Sequence, residues 1–282
     1  MKHQETAIET AQLTHAYGGR VLALREVDLR ILNGEFVAII GQNGSGKTTL
    51  AKHFNGLLKP TSGQVTVHGV ETRRASVTDL ARKVGYVFQN PDHQLCMRTV
   101  EEELRFGPRN LGTPEDEISA RVEKVLTTFD LKQYMDSHPF LLAKADRLRV
   151  AFCSVLTMEP ETIVVDEPTT GQDMRQCYEV MNVLKDLNGK GRTIVIITHN
   201  MRLVAEYAMR TIVMKQGQII MDAPTAEVFS QPAMLAETYL SPPQITQLGQ
   251  RLASYGIPLG VLSVSEMHEI LSRMATGRSV NR

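Results

Sequence analysis

No stretch of this sequence approaches the ~18 consecutive apolar residues of a membrane-spanning helix. Runs such as FVAII (36–40) and TIVIIT (193–198) are strand-length. The opening MKHQETAIETAQ is too polar for the core of a signal peptide. Cysteine is scarce: Cys96, Cys153 and Cys177 are odd in number and unpatterned, which fits a reducing cytosol rather than a disulfide framework. Neither sign of charge is in excess, since 31 Lys plus Arg balance 31 Asp plus Glu. Bulk attraction to nucleic acid or to an anionic membrane is therefore not expected. Internal repeats and low-complexity segments are also missing. If this chain serves a membrane, the expectation is that it does so through a partner.

What is present is ordinary for a globular protein: 282 residues, 42% hydrophobic and 22% charged, enough for one large domain or two modest ones. Val27, Leu29 and Ile31 alternate with Asp28 and Arg30, which predicts a strand, and Asn33-Gly34 supplies a tight turn into EFVAII. A Gly-rich loop follows, then a helical pattern through Leu50, Phe54 and Leu57. KPTSGQVTVHG reads as a turn and a further strand, and SVTD (76–79) as a helix start before the strand VGYVF. From about 90 to 160 the pattern becomes mostly helical. Thr113 with Pro114 predicts an N-cap, and Ile118, Val122, Val125 and Phe129 recur at helical spacing. TIVVD and TIVIIT then suit strands buried on both faces of a parallel sheet. After APTAEVFSQPAM a mostly helical tail begins, interrupted by SPP at 241–243.

Chemistry concentrates in two motifs. GQNGSGKT, Gly41 to Thr48 with Asn43, Gly44, Ser45 and Gly46 inside it, fits G-x-x-x-x-G-K-[ST] between a strand and a helix, with Thr49 just inside that helix. Its glycines let backbone N–H groups turn toward phosphate oxygens at a helix N-terminus. Lys47 then suits the β- and γ-phosphates of ATP, and the Thr48 hydroxyl suits Mg²⁺. In IVVDEP, Asp166 ends a buried strand, where a carboxylate holds the Mg²⁺ shell, and Glu167 can orient the attacking water as general base. Alone, such a pair reads as well as a helix cap or solvated edge; beside a P-loop it reads as the second half of a nucleotide site.

Together these motifs resemble the ATP-binding cassette (ABC) ATPases, and the resemblance runs along nearly the whole chain. It implies an α/β fold: a P-loop NTPase (RecA-like) core with an antiparallel β-subdomain, an inserted α-helical subdomain and a small C-terminal helical extension. Residues 1–230 are then the nucleotide-binding domain, with its helical part at about 90–160, and 231–282 the extension, which relatives use in dimer contacts. Tyr17 stands where the family stacks an aromatic on adenine. Gln89, in VFQNP, matches the glutamine that couples Mg²⁺ and water to the helical subdomain. Asp173, in TTGQD, matches the carboxylate of a dimer-contacting loop, and His199, in VIITHN, the histidine that contacts the γ-phosphate.

Within the family, NPDHQLCMRTVEEELRFGPRNLG (90–112) resembles the energy-coupling factor branch and its cobalt- and nickel-type relatives. That resemblance implies an importer of a vitamin or transition-metal ion, at the cytoplasmic face of the cell membrane and peripheral to it. Its partners are an integral-membrane coupling subunit, reached through Asp92, Gln94 and the following turn, and a membrane subunit that selects the substrate. A cassette acting on DNA or ribosomes fits poorly, and no nucleic-acid partner is expected.

One motif departs from the family. Leu142-Ala143-Lys144-Ala145-Asp146 stands where Leu-Ser-Gly-Gly-Gln normally clamps the γ-phosphate bound to a second ATPase subunit. The serine hydroxyl is gone and Asp146 brings negative charge toward an anion, for which Lys144 compensates only in part. The helix itself keeps an apolar face through Leu148, Phe152, Val155 and Leu156. The expectation is an asymmetric pair with a non-identical ATPase whose motif is intact. The alternative is a nucleotide-binding regulatory subunit with little or no hydrolysis.

Overall fold

A computed structural model describes residues 5–167 and 174–276. The chain opens with β1 (Thr6–Tyr17) and β2 (Val21–Leu32), then β3 (Phe36–Gly41), which runs through the Gly-rich loop into α1 (Lys47–Phe54). Two strands, β4 (Ser62–Val67) and β5 (Val70–Glu71), lead to α2 (Val77–Ala81) and β6 (Val84–Val87). Three helices follow: α3 (Val100–Asn110), α4 (Glu115–Thr128) and α5 (Lys144–Leu156). The core resumes with β7 (Thr162–Asp166), α6 (Met174–Gly189), β8 (Thr193–Ile197), α7 (Met201–Tyr207), β9 (Arg210–Lys215) and β10 (Gln218–Pro224). Last come α8 (Thr225–Phe229), α9 (Pro232–Ala236), α10 (Gln244–Arg251) and α11 (Val264–Ala275).

Two sheets result. The smaller is antiparallel in the order β2-β1-β4-β5; the larger has the order β10-β9-β3-β8-β7-β6 and is parallel except for β10. The buried runs of the larger sheet divide with period two. Ala38, Ile40, Ile163, Val165, Ile194 and Ile196 face one core, shared with α3 to α7. Val37, Ile39, Val164, Val195 and Ile197 face the other, shared with α1 and the smaller sheet. A separate small cluster of Ile257, Val261, Met267 and Ile270 holds α10 and α11 together. No helix among the described residues is long and apolar enough to cross a membrane.

One local expectation is sharpened and one corrected. Asn33-Gly34 forms the expected tight turn, with the Glu35 amide donating to the Leu32 carbonyl at 3.2 Å, but β2 and β3 do not pair. Gly34, at φ +79°, instead turns the chain out of the smaller sheet, and β3 enters the larger one between β8 and β9. Thr113 does not cap α4: Pro114 occupies the cap position, and the acidic turn Glu115, Asp116 and Glu117 supplies the favourable charge. By contrast Ser76 caps α2 through a reciprocal capping box with Asp79, as SVTD predicts.

Candidate nucleotide site

The carboxyl ends of the parallel strands gather the motif residues on one edge, where open α/β sheets present ligand sites. β3 delivers the loop 41–46 to the start of α1. Asp166 ends β7 in register with Ile197, so His199 emerges beside Glu167. Val87 pairs with Val165, so the exposed Gln89 leaves the sheet at the same edge.

The loop needs glycine where its backbone is crowded. A Cβ on Gly41 would come within 2.3 Å of the Met214 carbonyl oxygen, and one on Gly46 within 2.8 Å of the Ala23 carbonyl oxygen. Asn43 and Gly44 are exposed at the crest, and Ser45 is buried. Lys47 is buried too, and its Nζ donates to the carbonyl oxygens of Gly41 and Gln42, both at 2.8 Å. Burial pulls this lysine below its ordinary pKa, while the charges of Glu167 and Asp166 act the other way.

Asp166 is the hub. Its Oδ2 accepts from Thr48 Oγ1 at 2.8 Å and from the Tyr86 hydroxyl at 3.0 Å. Burial pushes its carboxyl above the usual range, against those two hydrogen bonds and the charges of Lys52 and Lys47. Tyr86 escapes sequence reasoning, because a tyrosine in an apolar strand reads as core. Its hydroxyl pKa is raised by burial first and by the Asp166 charge second. Glu167 sits at φ +56°, a strained region for a non-glycine residue, and its amide donates to the Ile197 carbonyl at 2.8 Å. His199, largely exposed, places Nδ1 2.9 Å from Glu167 Oε2, close enough for an ion pair but not aligned as a hydrogen bond.

Asp166 Oδ1, Glu167 Oε2 and Ser45 Oγ are buried without a hydrogen-bond partner. Unpaired buried oxygens are uncommon, and these are hard donors beside the Thr48 hydroxyl. The set fits a small divalent cation such as Mg²⁺ that borrows further ligands from phosphate and water. Among the described residues no cluster of three His, Cys, Asp or Glu side chains could hold a metal alone. Tyr17 lies beside the loop, half exposed, with its hydroxyl 3.2 Å from Thr49 Oγ1 and its ring edge-on to His15. Asp173 lies outside the described residues.

The neighbouring elements refine two expectations. Gln94 is not free to meet a partner: its Nε2 donates to the Ala151 carbonyl at 2.6 Å and to Ser154 Oγ at 3.0 Å, and its Oε1 accepts from the Phe88 amide. Asp92 pairs with Arg147 at 3.1 Å. Both residues tie the Gln89 segment to α5. At the start of α5, Ala143 is the cap residue and offers no side-chain hydrogen bond. Asp146 is drawn back one turn onto Arg149, with both side chains largely buried, so its negative charge is compensated within the helix.

Fold and site together define a P-loop nucleotide-binding protein. Residues 24–170 match the family model described as ABC transporter. A putative ABC transporter ATP-binding protein of Caldanaerobacter subterraneus subsp. tengcongensis is 43% identical over 93% of this chain, and the chain spans only 45% of that relative. The first curated relatives are thus more than twice as long as the matched region. The energy-coupling factor transporter ATP-binding protein EcfA1 of Methanospirillum hungatei is 39% identical, covering 96% of this chain and 98% of its own. The solved structure of cbiO1 from Clostridium perfringens, part of the ABC transporter complex cbiONQ, superposes with a TM-score of 0.72 at 34% identity, over 87% of this chain and 99% of that one. This chain belongs to the ABC transporter ATP-binding family, in its energy-coupling factor branch.

Proposed function

We propose that the chain is the ATP-hydrolysing motor of an energy-coupling factor importer for a vitamin or transition-metal ion, paired with a non-identical ATPase subunit. The observation that carries this is a contrast within one molecule. The nucleotide edge holds a full set of groups, Lys47, Thr48, Gln89, Asp166, Glu167 and His199. The α5 start, which in this family serves the partner's nucleotide, offers neither a hydroxyl nor a side-chain cap hydrogen bond.

In this reading Lys47 leaves the Gly41 and Gln42 carbonyls for the β- and γ-phosphates of ATP, and the loop amides surround them. Thr48 and Asp166 hold Mg²⁺, which offsets phosphate charge. Tyr86 and Thr48 fix the Asp166 carboxylate by hydrogen bonds to one oxygen, leaving the other for the cation shell. Glu167 accepts the proton of the attacking water, and His199, against its carboxylate, orients it and reaches the γ-phosphate. Gln89 senses the same edge, and Gln94 and Asp92 carry its position into α5. Tyr17 offers its free face to adenine. Asp173 contacts the opposed subunit, and the helical extension that begins at residue 231 joins the dimer. The chain then sits at the cytoplasmic face of the membrane, held by an integral-membrane coupling subunit and, through it, by the substrate-selecting subunit.

Glu167→Gln tests the reading. In the co-purified complex, general-base removal should lower hydrolysis by about 10–100-fold, down to the residual turnover of the partner's site, with ATP binding retained. Unchanged steady-state hydrolysis would show that this site does not turn over and would favour the regulatory alternative.

A further inference from the structure

The amino end of β7, away from the phosphate edge, opens into a cleft of about 420 Å³, within the ~300–1,000 Å³ of small-molecule pockets. Ile163 on its floor precedes Asp166 by three residues, roughly 10 Å along a strand at ~3.3 Å per residue. One wall comes from α4 and the α5–β7 connection; the other comes from α6 and the turn into β8. The floor is apolar: Val125, Phe129 and Ile163 are buried, and Leu156, Val183 and Leu187 are half-buried.

The rim has a sign. Arg121 is neutralised by Glu117 at 2.6 Å and Glu159 at 3.1 Å. Lys124, Lys190 and Arg192 make no ion pair among the described residues, and they face a single unpaired carboxylate, Asp186. A neutral apolar guest would cover the floor and leave three cations unmatched. A polyanion would match the cations and leave the floor wet. We propose that this cleft binds a small amphipathic anion, its apolar body on the Phe129–Leu187 floor and one carboxylate, sulfonate or phosphate head at Lys124, Lys190 and Arg192. Because the two walls belong to different parts of the chain, the bound anion ties α4 and α5 to α6.

The full chain, titrated with the fluorescent aromatic sulfonate 8-anilinonaphthalene-1-sulfonate, provides the test. Octanoate serves as competing carboxylate and octan-1-ol as its neutral match. The expected result is one saturable site, displaced by octanoate and not by octan-1-ol at equal concentration, and kept when MgATP is added. Lys190→Glu with Arg192→Glu, both on a turn, should weaken dye binding at least tenfold, and Val183→Trp should abolish it by filling the cleft. Far-UV circular dichroism and an MgATP-induced rise in Tm confirm that the variants fold; if Val183→Trp does not, the charge-reversed pair decides. Absence of a saturable site, equal displacement by octan-1-ol, loss of the dye to MgATP, or binding unchanged by the charge reversal would overturn the proposal.

Discussion

Asp166 carries a buried charge with one oxygen satisfied and the other not, a poor arrangement for stability and a good one for holding a cation shell. Asp166→Asn should therefore stabilise the nucleotide-free chain by about 1 kcal/mol, a rise in Tm of about 2–4 °C for a chain of this size, and remove the further rise that MgATP gives. A lower Tm in the variant would contradict the cost assigned to that unpaired carboxylate oxygen. His53 is the second revealing residue. Fully buried behind Tyr17 and His15, it is pulled by burial down to about 4 from 6.5. The folded chain keeps it neutral where the unfolded chain binds a proton, so stability is complete above pH 6.5 and falls as pH drops toward 4. The effect is roughly 3 kcal/mol at most. His53→Leu should flatten that slope in urea titrations at successive pH values, and an unchanged slope would count against it. At this scale, Lys47, Thr48, Asp166, Glu167 and His199 were legible because each follows a recognisable strand end or loop. Tyr86 was not, because its role comes from a neighbouring strand's register.

Between elements, the periodicities predicted the strands and helices and missed how they were joined. Asn33-Gly34 has the chemistry of a hairpin turn, and only the pairing of β3 with β8 and β9 shows that it hands the chain from one sheet to the other. The family resemblance puts Gln94 at the surface that meets the membrane subunit. Its partners, Ala151 and Ser154, lie nearly sixty residues away, beyond the reach of local pattern. The start of α5 was read as a lost donor with an added negative charge; the donor is absent, but the charge is held by Arg149. Ala143→Ser should add an N-cap hydrogen bond worth about 1 kcal/mol and raise Tm by about 2–4 °C. No change in Tm would show that this helix end has no unmet donor for a hydroxyl to serve.

At the scale of the whole molecule, the proposed pairing rests on two unequal surfaces: the sheet edge where Lys47, Thr48, Asp166, Glu167 and His199 gather, and the α5 start, whose cap residue Ala143 has no hydroxyl. Losing a hydrogen bond to a charged group costs ~1.5–3 kcal/mol, which is about 10–100-fold in rate. The asymmetry should therefore appear in kinetics more plainly than in binding. The most direct measurement is single-turnover ATP hydrolysis by the purified complex with the P-loop lysine replaced by alanine in one ATPase subunit at a time. Lys47→Ala should remove most of the hydrolysis, and the same change in the partner should leave most of it. Equal losses from the two substitutions would contradict the account.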